Sequence, residues 1–120
     1  MEEWIDVGAD DMLSSGEMQQ VEVRERALLL ARVGDAYYAT QARCPHLRAH
    51  LARGQLEGAI VTCPGHGSTF DVTTGRNVAW TPGLPAVVRG VARVFSRPQD
   101  LNTFAVKVEE GRVWIKSERP

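Results

Sequence analysis

Short runs of apolar residues, some of them alternating with polar ones, dominate this chain and predict β-strands. Residues 20–24 alternate polar and apolar side chains, as a strand with one buried face should. Residues 27–33 are almost continuously apolar, and Gly34-Asp35 provides a turn before a second run at 36–40. We therefore expect a hairpin at 27–40, and we expect further strands at 4–7, 59–62, 70–72, 103–108 and 112–116.

The chain between and after these runs is less regular. Residues 47–52 are compatible with one helical turn. Residues 86–97 fit either an amphipathic helix or an extended loop, because Gly90 and the β-branched valines disfavour a helix. At 120 residues the chain has room for one hydrophobic core. We expect one all-β domain at 1–120, an antiparallel sandwich or barrel-like fold, with an inserted lobe at about 43–83.

Charge is divided unevenly along the chain, although the net charge is only −1. Residues 1–25 contain eight acids and one base, whereas residues 43–97 contain seven arginines and two acids. A basic surface favours association with an acidic partner. The basic residues are not interleaved with aromatic ones, which argues against a nucleic-acid partner. No apolar run approaches the ~20 residues of a membrane span, so we expect no membrane association.

The residues with the most distinctive chemistry lie in two short segments, Cys44-Pro45-His46 and Cys63-Pro64-Gly65-His66. Sixteen residues separate His46 from Cys63, and both cysteines and two of the three histidines of the chain fall in this pattern. The prolines and glycines around them predict tight loops. Thiolate and imidazole groups are ligands for transition metals. The sequence therefore predicts a metal centre held between two loops.

Two other interpretations of these segments are a disulfide and a zinc site. A Cys44–Cys63 disulfide leaves the histidines unexplained and suits secreted chains, whereas the acidic start of this chain is unlike a secretory or transit peptide. Four sulfur and nitrogen ligands suit tetrahedral zinc, but zinc modules more often place two cysteines in one segment. His50 follows His46 at a helical spacing, and we interpret it as a surface or supporting residue rather than a ligand.

The spacing C-x-H, sixteen residues, C-x2-H resembles that of the Rieske [2Fe–2S] family. Residues 63–71 match the family's second loop throughout, and residues 44–47 match the start of its first loop. The resemblance implies one [2Fe–2S] cluster per chain, with two cysteines on one iron and two histidines on the other. The four implied ligands are Cys44, His46, Cys63 and His66.

The resemblance also implies roles for residues around the cluster. Ser68 stands where relatives place a hydroxyl near the cluster sulfurs, and Phe70 stands where they place a tyrosine, although its ring cannot donate a hydrogen bond. Relatives with high potentials join the loops by a disulfide, where this chain has Ala49 and Gly65. Pro82 corresponds to a third, proline-containing loop that covers the cluster. We expect a potential in the lower half of the family's range of roughly −150 to +300 mV.

Composition limits what such a centre can do in this chain. Too few histidines remain for a second, mononuclear iron site, and there is no nucleotide or flavin motif. The resemblance therefore implies an electron carrier without a catalytic site of its own, a ferredoxin between a reductase and a terminal oxygenase. We expect a cytoplasmic protein whose redox partners present an acidic docking face. Two alternatives remain open: a small subunit of a larger oxidoreductase such as a nitrite reductase, and a non-redox zinc-binding interaction module.

Overall fold

Antiparallel β-strands make up most of the described structure. The computed structural model describes residues 3–45, 48–65, 67–79 and 99–117. The strands are β1 (Glu3–Ala9), β2 (Met18–Val23), β3 (Arg26–Val33), β4 (Ala36–Gln41), β5 (Gln55–Glu57), β6 (Ile60–Thr62), β7 (Thr69–Asp71), β8 (Asn77–Ala79), β9 (Thr103–Phe104), β10 (Val106–Glu109) and β11 (Arg112–Ser117). They form three sheets, in the orders β1–β11–β10, β2–β3–β4–β9 and β5–β6–β7–β8. The expected all-β, antiparallel fold is confirmed.

The first two sheets share one hydrophobic core. Alternate residues of each strand face this core, so that Val113 and Ile115 of β11 are fully buried while Trp114 between them points to the outer face. The second sheet contributes the inward-facing side chains of β2, β3 and β4. The buried residues of this first core are Leu13, Val21, Val23, Leu28, Leu30, Tyr37, Ala39, Val113 and Ile115.

Strand β3 is buried on both of its faces. Leu28 and Leu30 face the first core, whereas Leu29 and Ala31 belong to a second core shared with the third sheet. Burial on both sides explains why residues 27–33 read as a nearly continuous apolar run rather than as an alternating one. The second core is made of Leu29, Ala31, Cys44, Leu51, Val61, Cys63, Phe70, Val72 and Leu101.

The prediction of a single strand at 103–108 was wrong, because the chain changes sheets in the middle of that run. Thr103 and Phe104 pair with β4 of the second sheet, whereas Val106 begins the pairing with β11 of the first sheet. Ala105 lies between the two strands, and its carbonyl accepts the Lys116 N–H at 2.9 Å. The segment is a corner that links the two sheets, as orthogonal sheet packings use.

The remaining predictions on local structure have mixed outcomes. Strands at 4–7, 20–24, 59–62, 70–72 and 112–116 and the hairpin at 27–40 are confirmed, with ends shifted by one or more residues. The helical turn expected at 47–52 is a 3-10 turn at Leu51–Arg53, and β5 and β8 were not predicted. The segment 86–97 lies outside the described residues. Among the described residues there is no helix with the length and hydrophobicity needed to cross a membrane.

Candidate metal centre

The first predicted ligand, Cys44, lies just beyond the end of β4 and is buried, with 1% of its surface exposed. Its N–H donates to the Ala49 carbonyl at 2.9 Å, and its own carbonyl accepts the Arg48 N–H at 2.8 Å. The Leu51 N–H donates to the Ala42 carbonyl at 3.0 Å, which extends the backbone hydrogen bonding between the two arms of the loop. The first loop is therefore closed by its own backbone, and the position of Cys44 is fixed from both arms.

His50 attaches the returning arm of the first loop to the second sheet. Its Nδ1 lies 3.0 Å from Oε1 of Gln20 on β2, and its backbone forms an isolated bridge with Arg43. The ring is half-buried and engaged with the sheet. This geometry supports the interpretation of His50 as a supporting residue. No feature of the sequence indicated Gln20 as its partner.

The second predicted cysteine, Cys63, begins the connection between β6 and β7 and is 3% exposed. Its N–H donates to the Ser68 carbonyl at 2.8 Å, which closes the loop. Gly67 has a φ of +79°, a conformation that glycine adopts at little cost. The Gly65 N–H donates to Cys63 Sγ at 3.4 Å. Hydrogen bonds to the ligand sulfurs are among the influences that set the potential of an iron–sulfur cluster.

The two cysteines fit a metal cluster better than a disulfide. Neither forms a disulfide, and both belong to the second core, packed with Leu51, Val61 and Phe70. Two isolated thiolates would be costly in such an apolar setting, whereas two thiolates on a cluster of two ferric ions and two sulfides give a neutral centre. The buried sulfur pair is therefore suited to a [2Fe–2S] cluster.

His46 and His66 lie outside the described residues, as does Pro82. Within residues 3–45, 48–65, 67–79 and 99–117, no three His, Cys, Asp or Glu side chains come together as a metal site. The assignment of four ligands therefore remains a prediction from the resemblance, supported at its two cysteines by the geometry of the loops.

Ser68 and Phe70 flank the second loop on its returning strand. Ser68 is 1% exposed and Phe70 is completely buried, opposite Val61 in the β6–β7 register. A buried serine so close to Cys63 fits the predicted hydrogen bond to a cluster sulfur, and the Phe70 ring closes the second core around both cysteines. Their effects on the cluster remain predictions.

Gly54 is a residue of the site that sequence reasoning missed. A Cβ placed on it would lie only 1.9 Å from the carbonyl oxygen of Thr62, the residue that precedes Cys63. The returning arm of the first loop therefore passes in direct contact with the strand that leads into the second loop. A glycine at the end of a short turn is too common a signal to have indicated this contact.

Comparison with known proteins agrees with this geometry. A sequence model of the Rieske [2Fe-2S] domain matches residues 3–105. Ferredoxin CarAc of Metapseudomonas resinovorans is 32% identical over 117 residues, covering 97% of this chain and 95% of the relative. The ferredoxin component of the 2,4-dinitrotoluene dioxygenase system of Burkholderia sp. (strain RASC) is 34% identical over 115 residues, covering 96% of each chain.

A solved structure extends the likeness to three dimensions. It is the complex of reduced oxygenase and oxidized ferredoxin in carbazole 1,9a-dioxygenase, and one of its chains superposes with a TM-score of 0.74 at 32% identity. The match covers 92% of this chain and 99% of that one. The likeness thus extends over most of the chain. The chain belongs to the Rieske [2Fe–2S] domain family, whose cofactor is the Rieske-type [2Fe–2S] cluster.

Proposed function

We propose that this chain is a ferredoxin that carries single electrons from a reductase to the terminal oxygenase of a multi-component oxygenase system. The observation that carries the proposal is the pair of buried cysteines, one from each of two loops, in one core. The relatives that match this chain over almost their whole length are named as ferredoxins or ferredoxin components of dioxygenase systems. The chain acts as an electron carrier in such a system and contributes no catalytic site of its own.

The proposed ligands divide between the two irons of the cluster. Cys44 and Cys63 hold one iron, and His46 and His66 hold the other. When bound, the cluster accepts and releases one electron. The described residues bury the two cysteines away from water, and the Gly65 N–H donates to the sulfur of Cys63.

The charge of the surface around the loops supports an acidic docking face on the redox partners. Arg43 and Arg48, which flank the first ligand loop, are exposed, and only two acids, Glu57 and Asp71, occur among residues 43–45, 48–65 and 67–79. Association with such partners should be fast at low ionic strength and slower as salt is added.

We place the protein in the cytoplasm. Cys44 and Cys63 are the proposed cluster ligands and must stay reduced until they bind the cluster. Reducing compartments keep thiols in this state, whereas the oxidising environment of secreted proteins favours disulfides. Cell fractionation with an antibody against this protein tests the assignment, and recovery from a secreted or periplasmic fraction would contradict it.

Anaerobic purification followed by visible and EPR spectroscopy, with iron and sulfide counts, tests the cofactor and its ligands. We expect two irons and two sulfides per chain, and an EPR signal that appears only on reduction. Serine in place of either cysteine, or alanine in place of His46 or His66, should abolish or alter the cluster. His50→Ala is the matched control and should retain it. A colourless protein that contains zinc, or cluster loss only in His50→Ala, would contradict the assignment.

Electron transfer tests the functional part of the proposal. The reduced protein is mixed in a stopped-flow instrument with oxygenase and reductase components from the same organism, and the cluster absorbance is followed. Reoxidation by an oxygenase and reduction by a reductase are expected. Stable co-purification with a nitrite reductase or another large oxidoreductase, with no transfer to an oxygenase, would favour the subunit alternative.

A further inference from the structure

The arginines of the described residues fall into two groups. Those of the first group each pair with a carboxylate, as Arg112 does with Asp6 at 3.0 Å and Arg32 does with Asp35 at 3.7 Å. Those of the second group form no ion pair with any described carboxylate and are all exposed. The first group is Arg24, Arg32 and Arg112, and the second is Arg26, Arg43, Arg48, Arg53 and Arg76.

Three arginines of the second group line one continuous depression beside the first ligand loop. It consists of two adjoining grooves of about 510 and 540 Å³ that share Gln41, Arg43 and Asn102. One groove extends to Arg26, and the other extends past Cys44 to Arg48. The depression thus runs from the β2–β3 turn to the loop that carries the first cysteine.

The floor of this depression is rigid. The Gln41 N–H donates to the Asn102 carbonyl at 3.0 Å, and the Asn102 N–H donates to Gln41 Oε1 at 2.8 Å. Gln41 Nε2 also donates to the Arg43 carbonyl at 2.8 Å. The backbone that carries the arginine is therefore held in place before any partner arrives, which lowers the entropic cost of docking.

Cationic groups outnumber anionic ones along the depression. Two acids line it, Glu25 and Asp100, and Oδ1 of Asp100 already accepts the Asn77 N–H at 2.8 Å. The Arg26 guanidinium lies 5.7 Å from the centre of the Phe104 ring, which positions it at one end. Guanidinium groups bind carboxylates through paired hydrogen bonds. Arg43 Nη1 donates to the Arg48 carbonyl at 3.5 Å, but none of the three guanidiniums forms an ion pair with a described carboxylate. Three such guanidiniums over a rigid polar floor are therefore complementary to an acidic segment of another protein.

We propose that this depression, defined by Arg26, Arg43 and Arg48, is the docking site for an acidic surface segment of the terminal oxygenase. The inference rests on the proposed function, which names the oxygenase as the electron acceptor. It places the contact along the flank of the first ligand loop. The arginines fix the orientation of the partner and raise the rate of association.

Charge-matched variants test the proposal in the cluster-loaded protein. The Arg43→Ala/Arg48→Ala double variant removes two charges at the depression. The Arg53→Ala/Arg76→Ala double variant removes the same number of unpaired, exposed arginines that do not line it. Stopped-flow mixing measures oxidation by the oxygenase and reduction by the reductase, at low and high salt. Both variants must keep the wild-type EPR spectrum, so that a change in rate reports docking.

We expect the Arg43→Ala/Arg48→Ala variant to reduce the oxygenase about tenfold more slowly at low salt, with the difference lost at high salt. The Arg53→Ala/Arg76→Ala variant should change this rate less than about twofold, and neither should alter reduction by the reductase more than twofold. An equal loss of the oxygenase-reduction rate in both variants would show that only net charge matters, and it would overturn the proposal. A loss confined to the reductase step would overturn the choice of partner.

A second measurement separates failure of this inference from failure of the proposed function. Fluorescein-labelled hexaglutamate is titrated with each variant at low ionic strength, with hexalysine as the control peptide. Hexaglutamate should bind the wild type about tenfold more tightly than Arg43→Ala/Arg48→Ala. If that difference is present but no oxygenase is reduced by the wild type, the proposed function and the named partner fail together. If the difference is absent, the depression is not an acid-binding surface.

Discussion

Replacement of Gly54 by alanine should push apart the two segments that position the ligand loops. The added Cβ would lie 1.9 Å from the Thr62 carbonyl oxygen, whereas carbon and oxygen atoms in contact are normally about 3.3 Å or more apart. The strands must therefore separate by about 1.4 Å, which disrupts the pairing of Gln55 with Thr62 and weakens the hydrogen bonds at the start of the β5–β6 ladder. At about 1 kcal/mol for each lost hydrogen bond, plus distortion at the adjoining Cys63, we expect a destabilisation of about 3 kcal/mol.

Gly58→Ala is the matched control, because Gly58 lies in the turn at the other end of the same hairpin. Its φ is +59°, but a Cβ there would meet nothing within 4 Å, so only backbone strain of roughly 1 kcal/mol is expected. The assay is the guanidinium concentration at which visible cluster absorbance is half lost under anaerobic conditions, together with iron per chain after purification. Gly54→Ala should lower both values well below those of Gly58→Ala. Equal effects of the two variants would refute the argument from the Thr62 contact.

Four further expectations concern the reduction potential and the effects of pH. Ser68→Ala should lower the reduction potential because a donor to a cluster sulfur is lost, and an unchanged potential by film voltammetry would make Ser68 a turn residue only. Phe70→Tyr should raise the potential if the new hydroxyl reaches a sulfur, and an unchanged value would show that it does not. The reduction potential should be constant near neutral pH and fall by about 59 mV per pH unit only at alkaline pH, where the proposed ligands His46 and His66 lose protons. A steep slope at pH 6–7 would count against a protein that carries electrons alone. The hydrogen bond from Arg112, aided by the Gly8 N–H, lowers the pKa of Asp6. This pair therefore stabilises the fold above about pH 4 and loses its effect as pH falls through the lowered pKa. The free energy of unfolding in urea should differ between Asp6→Asn and the wild type at pH 7 and converge in acid.

The parts of the fold that could be predicted are those in which burial follows the sequence directly. The continuous apolar run at 27–33 and the alternation at 20–24 predicted β3 and β2, because each pattern records how many faces of a strand are covered. The strands β5 and β8 escaped prediction because they are three residues long and carry polar side chains such as Gln55, Glu57 and Asn77. Pairing with neighbours distant in sequence, rather than local preference, makes these residues strands.

The sequence predicted which residues form the site but not the contacts that hold them in place. Cys44 and Cys63 are recognisable from their spacing, and both are buried as metal-binding sulfurs in a core should be. The contacts that hold their loops are between segments far apart in the chain, as with Gln20 and His50. No local pattern encodes such a pairing, because each partner is an ordinary polar residue on its own.

The burial of β3 on both faces has a consequence for how the protein comes apart. Leu29 and Leu30 are neighbours in the chain, yet they lie in different cores. Neither core can open without exposing a face of the same strand, so the sheets and the metal-binding loops should unfold as one cooperative unit. The amide hydrogens of these two leucines should then exchange only when the whole protein unfolds, so both should be limited by the same opening step. Loss of visible colour on heating would report the melting of the whole molecule rather than the fraying of its loops.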